Sequence, residues 1–150
     1  MHSEIKLAED AGENGLAGML AELVRQNLEA KPHKRADFEA LSGRVAIVAD
    51  DADVALTLEF ERGGRLTICD GIAGIPQVTI RGPSGAIIAM SNIPLTRWLG
   101  LPIPSSRDPE AAKAIRELYA ATRAGRLHVY GMATHPRMVM KLTRLMSIHG

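Results

Sequence analysis

Apolar and polar residues alternate along most of the segment from residue 45 to residue 70, and this period-two pattern constrains the fold more than any other feature. The alternation runs through 45–49, 54–60 and 66–69. It is interrupted at 50–53, where aspartates favour a turn, and at 62–64, where two glycines favour a hairpin. Because successive side chains of a strand point to opposite faces, the pattern predicts an antiparallel three-stranded meander with one buried face.

Helical spacing of apolar residues marks the segments on both sides of this meander. Apolar residues between Leu16 and Leu28 predict a helix over 15–30, which Pro32 ends. The predicted fold class is α+β, with a five-stranded, mostly antiparallel sheet. The remaining predicted elements are a helical turn at 37–41, strands at 77–81 and 127–129, and helices at 84–91, from Asp108 to about Ala124, and after Thr134.

The length of 150 residues suits one domain. Residues 1–15 contain four acids, one base and two glycines, so we expect a mobile lead-in there and a single domain over 16–150. The first residues lack the basic and apolar regions of a secretory signal, and no run approaches the roughly 20 apolar residues of a membrane span. These features favour a cytoplasmic protein.

Composition argues against several classes of binding protein. The formal net charge is +1 and aromatic residues make up 3%, so the chain offers neither a strong positive field nor many rings on which bases could stack. We therefore expect no nucleic-acid partner.

Cys69 is the one cysteine, which excludes an internal disulfide, and the five histidines lack metal-binding spacing. Neither a metal nor a cofactor is expected.

Three stretches of this sequence resemble the sterol carrier protein-2 (sterol-transfer) family. At 53–71 the sequence DVALTLEFERGGRLTICDG forms an alternating hairpin that closes on Asp-Gly. At 76–92 a Val-Thr-Ile strand leads into an aliphatic helix in PQVTIRGPSGAIIAMSN, and at 124–131 AGRLHVYG precedes the last amphipathic helix. The specificity lies in the order and spacing of the three motifs, and the resemblance covers roughly residues 16–148.

The resemblance implies a sterol-carrier-like fold, in which helices pack on one face of a five-stranded sheet and enclose an apolar tunnel. It also implies a non-enzymatic function, the binding and carriage of a lipid. The ligand would be a fatty acid, an acyl-CoA, an isoprenoid or a sterol-like molecule. Domains of this kind also occur as auxiliary modules in prenylquinone synthesis.

A lipid tunnel needs apolar wall residues that are not fully packed against one another. Methionine suits such a wall because its flexible thioether repacks around irregular shapes. Arg137, Lys141 and Arg144 are expected on the water-facing side of the last helix. The alternative is that the apolar residues form a filled core at native density. The candidate cavity residues are Leu66, Ile68, Val78, Ile80, Ile87, Ile88, Met90, Trp98, Met138, Val139, Leu142 and Met146.

The segment 92–103 is apolar and rich in proline. Pro94 and Pro102 lack backbone N–H donors, so this segment cannot join the sheet. Trp98 and its apolar neighbours nevertheless need an apolar surface to pack against. We expect the segment to lie over the mouth of the tunnel. In an alternative interpretation, the chain is a protein-interaction module that binds a partner chain through 92–103.

Ser84 supports a second alternative, a small serine hydrolase. It lies between a strand and a helix, where hydrolases place a nucleophile, and Asp108 and His128 or His135 follow in a suitable order. However, the chain is too short for a hydrolase sheet of that type, and the strands before Ser84 are predicted to be antiparallel. Ser84 is more simply explained as a helix N-cap, and no catalytic residue is expected.

Basic residues are concentrated in the C-terminal part of the chain. From residue 113 to the end there are seven Lys and Arg residues and one acid, Glu117. A surface Lys or Arg near anionic headgroups adds on the order of 1 kcal/mol to membrane binding. Transient contact with an anionic membrane surface is therefore one expectation, and an ordinary solvated helix surface is the alternative.

Overall fold

The computed structural model describes residues 4–90 and 123–147, together with residues 113, 116 and 120; for residues 89 and 90 it describes the backbone alone. Within these residues the chain forms a six-stranded sheet and helices, so the α+β class is confirmed. The strands are β1 (Glu4–Leu7), β2 (Gly43–Ala49), β3 (Val54–Glu61), β4 (Arg65–Asp70), β5 (Val78–Gly82) and β6 (His128–Tyr130). The helices are α1 (Gly15–Ala30), α2 (Arg35–Ala40), α3 (Ser84–Met90) and α4 (Pro136–Met146), and 3₁₀ turns cover Glu9–Ala11 and Pro32–Lys34.

The predicted meander is present as β2, β3 and β4. β2 and β3 pair antiparallel from Gly43 opposite Phe60 to Ala49 opposite Val54, and β3 and β4 pair antiparallel through the next hairpin. In that hairpin Gly63 and Gly64 have φ values of 97° and 83°, which side chains with a Cβ rarely adopt. The first helix has the predicted bounds, and the side-chain oxygen of Asn14 caps it by accepting a hydrogen bond from the Ala17 amide at 3.1 Å.

The strand count differs from the prediction, because six strands rather than five are found within the described residues. The order across the sheet is β1-β4-β3-β2-β5-β6. The additional strand, β1, lies in the segment that was expected to be a lead-in, and it pairs parallel with β4. β2 and β5 also pair parallel, and the other three pairings are antiparallel. The mobility of residues 1–15 and the boundary at residue 16 stay predictions.

The alternating apolar side chains all point to one face of the sheet, which we call the front face. Their neighbours across the strands share this face because the register pairs apolar positions, for example Ile47 with Leu56 and with Ile80. Buried residues of all four helices join the same core cluster. In this core the rings of Phe38 on α2 and Phe60 on β3 meet edge to face, with centroids 6.3 Å apart. We call the opposite face the back face.

Polar contacts attach the end of α4 to the two N-terminal helices. The Asn27 amide donates to the carbonyl of Leu145 at 2.9 Å, and the buried Lys34 ammonium donates to the carbonyl of Ser147. These contacts satisfy carbonyls at the helix C-terminus that have no partner within the helix. Arg144 forms an ion pair with Asp37 at 3.1 Å and is only 28% exposed, so the prediction that it faces water was wrong. The apolar periodicity of α4 alone could not reveal the carboxylate on α2.

Burial of Lys34 leads to a pH-dependent stability. Loss of hydration, together with the nearby charge of Lys31, lowers the pKa of the Lys34 ammonium from 10.5 to about 8, although Asp37 opposes the shift. Between these two pH values the folded protein has released a proton that the unfolded chain still holds. The free energy of unfolding should therefore rise across this window, by about 1 to 3 kcal/mol after allowance for partial solvation.

Urea unfolding at several pH values tests this expectation. In Lys34→Met the titrating group is absent, so the rise should be missing from that variant. Lys6→Met, which removes an exposed lysine from β1, should keep it. Parallel pH profiles for the wild type and Lys34→Met would contradict the prediction.

A candidate apolar binding cavity

An apolar cavity lies between the front face of the sheet and helices α1, α3 and α4. Its volume is about 150 Å³. The strands β2, β3 and β5, which are adjacent in the sheet, form its floor. The described residues that line it are Met19, Leu20, Leu23, Ile47, Leu58, Ile80, Ile87, Ile88, Leu142, Thr143 and Met146.

The lining changes from buried to exposed across the cavity. Ile47, Leu58 and Ile80 on the sheet are buried. Met19 on α1 and Ile88 on α3 are 42% and 46% exposed. The cavity therefore has a closed floor on the sheet and an apolar rim at α1 and α3.

The chemistry of the lining is almost entirely aliphatic. None of its described residues is charged, and Thr143 is the one with a polar side chain. The Thr143 hydroxyl donates to the carbonyl of Val139 at 2.7 Å, one turn earlier in α4, so its hydrogen is already used. Water in such a space would find few partners, whereas an apolar molecule would not need any.

Comparison with known proteins complements this geometry. No protein-family model matches the sequence, and no curated protein matches it. A search of solved structures finds a chain described as "UbiJ-SCP2 Ubiquinone synthesis protein" with a TM-score of 0.54 and 17% sequence identity. The match covers 87% of this chain and 90% of the other. This chain has the fold of a sterol carrier protein-2 domain.

The sterol-carrier-like fold confirms the resemblance carried by the three sequence motifs. At 17% identity the likeness establishes the fold and not the ligand. Within this fold the structure describes a cavity on the helical side of the sheet. The tunnel that the resemblance implies stays a prediction.

The structure brings some of the predicted cavity residues together and places others elsewhere. Five of them line the cavity: Ile80, Ile87, Ile88, Leu142 and Met146. Leu66, Ile68 and Val78 are buried in the core outside the lining, and Met138 and Val139 are half-buried against the core. The Met90 side chain and Trp98, with the rest of 92–103, lie outside the described residues. The ligand-binding role of all twelve stays a prediction.

Sequence reasoning missed the lining residues on α1 and on the central strands. Met19, Leu20 and Leu23 belong to the apolar stripe of α1, which periodicity identified but which was not among the predicted cavity residues. Ile47 and Leu58 were predicted to be inward-facing without being assigned to the cavity. The position of Met19 at the edge of the apolar stripe, next to Leu20, was the signal that could have been used.

Ser84, at the start of α3, hydrogen bonds to a carboxylate. Its backbone N–H donates to Asp51 Oδ1 at 2.7 Å and its hydroxyl donates to Asp51 Oδ2 at 2.9 Å. These two hydrogen bonds hold the pKa of the Asp51 carboxyl below its usual range, and the bond from the backbone N–H of Ser84 has the larger effect. Asp51, in the turn between β2 and β3, thus caps α3, which is the role we expected of Ser84. The Ser84 hydrogen is directed to Asp51 rather than to an imidazole.

The described part of the chain offers neither a metal site nor a membrane-spanning helix. Among residues 4–90 and 123–147 and the three isolated positions, no group of three or more His, Cys, Asp or Glu residues could hold a metal ion. Over the same ranges, no helix has both the length and the apolar character needed to cross a membrane.

Proposed function

We propose that this protein binds the apolar chain of a lipid in the cavity and carries it without chemical change. The observation that supports this function best is the character of the lining, which combines aliphatic side chains and methionines with one hydroxyl that is already bonded within its helix. Burial of apolar surface is sufficient to hold such a ligand, and no reacting group is needed.

The size of the cavity sets how much of a lipid it can hold. Other proteins with apolar cavities of roughly 150 Å³ accept a molecule the size of benzene. A cavity of about 150 Å³ therefore suits a chain segment of about six carbons. Burial of six methylenes contributes roughly 5 kcal/mol before the cost of ordering the ligand. The remainder of a longer lipid would lie across the rim between Met19 and Ile88.

Flexible ligands fit this cavity better than rigid ones. A fatty acyl chain, free or in an acyl-CoA, or an isoprenoid can bend to enter a small space, whereas the fused rings of a sterol-like molecule cannot. The name of the structurally similar protein, a ubiquinone synthesis protein, favours an isoprenoid, because ubiquinone carries an isoprenoid chain. We further propose that residues 16–150 act as one domain and that the protein works in the cytoplasm.

Binding of a neutral fluorescent acyl probe tests the proposal, since a neutral probe avoids charge repulsion. Met19→Glu places a carboxylate on the rim, where a bound chain would strip it of water. We expect this variant to bind the probe at least about tenfold more weakly than the wild type. Leu7→Glu changes an apolar side chain of similar exposure, 37%, that does not line the cavity, and it should bind like the wild type.

Lipid extracted from the protein after purification from cells gives an independent measurement. Native mass spectrometry should show a co-purified lipid that is reduced in Met19→Glu and kept in Leu7→Glu. A wild-type protein that carries no lipid and binds no acyl probe would refute the proposed function.

A further inference from the structure

The loop at residues 71–77, between β4 and β5, is held firmly against the back face of the sheet. At one end the Thr57 hydroxyl donates to the carbonyl of Gly71 at 2.8 Å and accepts from the Ala73 amide at 2.9 Å. At the other end the Gln77 amide donates to the carbonyl of Arg44 at 3.0 Å, and the Arg44 amide donates to Gln77 Oε1 at 2.7 Å. The path of the loop is therefore fixed by hydrogen bonds at both ends.

This fixed loop holds two large apolar side chains in water. Ile75 is 87% exposed and Ile72 is 58% exposed. Leaving an isoleucine exposed forgoes the stabilisation that its burial would contribute. Because the loop is bonded on both sides, neither side chain reaches the core, and both stay exposed within the described part of the chain.

Two more exposed apolar side chains lie on β6 and on the segment that follows it. Gly131 lies against the backbone of Gln77, so closely that a Cβ at Gly131 would be 2.1 Å from the Gln77 carbonyl oxygen. This contact places Met132, which is 53% exposed, beside the 71–77 loop, and Tyr130 is 54% exposed on β6. We call Ile72, Ile75, Tyr130 and Met132 the docking patch.

Positive charge accompanies the docking patch. Residues 123–147 include five Lys and Arg residues and two His residues but neither Asp nor Glu. Arg126 lines a surface groove together with Tyr130, and the two carboxylates of that groove, Asp50 and Asp51, are already bonded to Arg81 and to Ser84. Arg137 lies in the first turn of α4, where the amide of the preceding His135 donates to the Gly131 carbonyl at 2.8 Å. Both arginines are exposed, and within the described residues neither forms an ion pair.

We infer that the docking patch is the surface through which this protein docks on an anionic lipid bilayer. Ile75 and Met132 enter the boundary between headgroups and acyl chains, Tyr130 lies at the headgroup level, and Arg126 and Arg137 contact anionic headgroups. A bilayer fits better than a folded partner, because the exposed Arg126 and Arg137 can contact headgroups without any matching geometry. The cavity lies on the front face of the sheet and the 71–77 loop on the back face, so the inference goes beyond the proposed function and does not rest on it.

Co-sedimentation with vesicles of phosphatidylcholine, with or without phosphatidylglycerol, tests the inference. Ile75→Ser should weaken binding to the anionic vesicles at least about tenfold. Arg137→Gln should weaken it about fivefold, and this loss should vanish on vesicles without phosphatidylglycerol. Ile88→Ser, at the exposed isoleucine of the cavity rim, and Arg25→Gln, on α1, should bind vesicles like the wild type.

Acyl-probe binding separates this inference from the proposed function. Ile75→Ser should bind the probe like the wild type, whereas Met19→Glu should lose probe binding and keep vesicle binding. If the wild type binds vesicles through Ile75 but binds no probe, the docking surface stands and the carrier function fails.

Two results would overturn the docking surface. One is the finding that the single variants Ile75→Ser and Arg137→Gln both bind vesicles as well as the wild type does. The other is a wild-type dimer, detected by sedimentation without vesicles, that dissociates in Ile75→Ser, because the docking patch would then be an interface between copies of this chain.

Discussion

Replacement of Leu142 by Asp should lower the free energy of unfolding by about 3 to 5 kcal/mol. Leu142 is 4% exposed, lies on the core-facing side of α4 and contributes to the cavity wall. The variant would lose the apolar contacts of the leucine and would bury a carboxylate, either unpaired or kept neutral by a raised pKa. Urea unfolding at neutral pH measures the loss.

Lys141→Ala is the matched control for this change, because it alters the adjacent position of the same helix. Lys141 is half-buried and contributes a charged rather than an apolar side chain. Its replacement should change the free energy of unfolding by less than about 1 kcal/mol. A large loss in Lys141→Ala, with none in Leu142→Asp, would contradict the orientation of α4 and the cavity wall with it.

Replacement of Leu23 by Trp should weaken acyl-probe binding at least about a hundredfold without loss of stability. Leu23 is half-buried on α1 and lines the cavity. Since a cavity of about 150 Å³ holds little more than one ring, the indole would occupy the space that a lipid chain needs. Filling an apolar space also adds contacts, so the thermal midpoint should stay the same or rise.

The two measurements together distinguish a binding cavity from a packing defect. Leu7→Trp makes the same replacement at a leucine on β1 that is 37% exposed and does not line the cavity, and it should leave probe binding unchanged. Unchanged probe binding by Leu23→Trp would show that the lipid occupies another part of the molecule.

Local patterns predicted most of the individual elements of this fold. The period-two alternation identified β2, β3 and β4, and the apolar stripe with Pro32 after it bounded α1. These signals are local, because the polarity of each residue reflects the face on which it lies. β1 was missed although Glu4-Ile5-Lys6-Leu7 alternates, since four residues are a weak signal and the partner strand begins at Arg65.

The cavity was harder to predict because it depends on the order of the strands across the sheet. Alternation predicts that Ile68 on β4 and Ile80 on β5 both face inward, and it does not distinguish one from the other. β5 lies next to β2, so Ile80 joins Ile47 and Leu58 under the cavity, whereas β4 lies between β1 and β3 and places Ile68 in filled core. Whether an apolar side chain meets protein or empty space is set by how helices sit over the sheet, which periodicity does not encode.

The two outer strands of the sheet bear on how copies of the protein behave at high concentration. In the described part of the chain, β1 has four residues and β6 has three. Long unpaired strand edges allow one sheet to extend into another and so start aggregation. Here each edge offers only a few hydrogen bonds, and Glu4 and Lys6 add charges along β1. The short edges therefore let the protein display an apolar loop to its surroundings while it resists aggregation by strand addition.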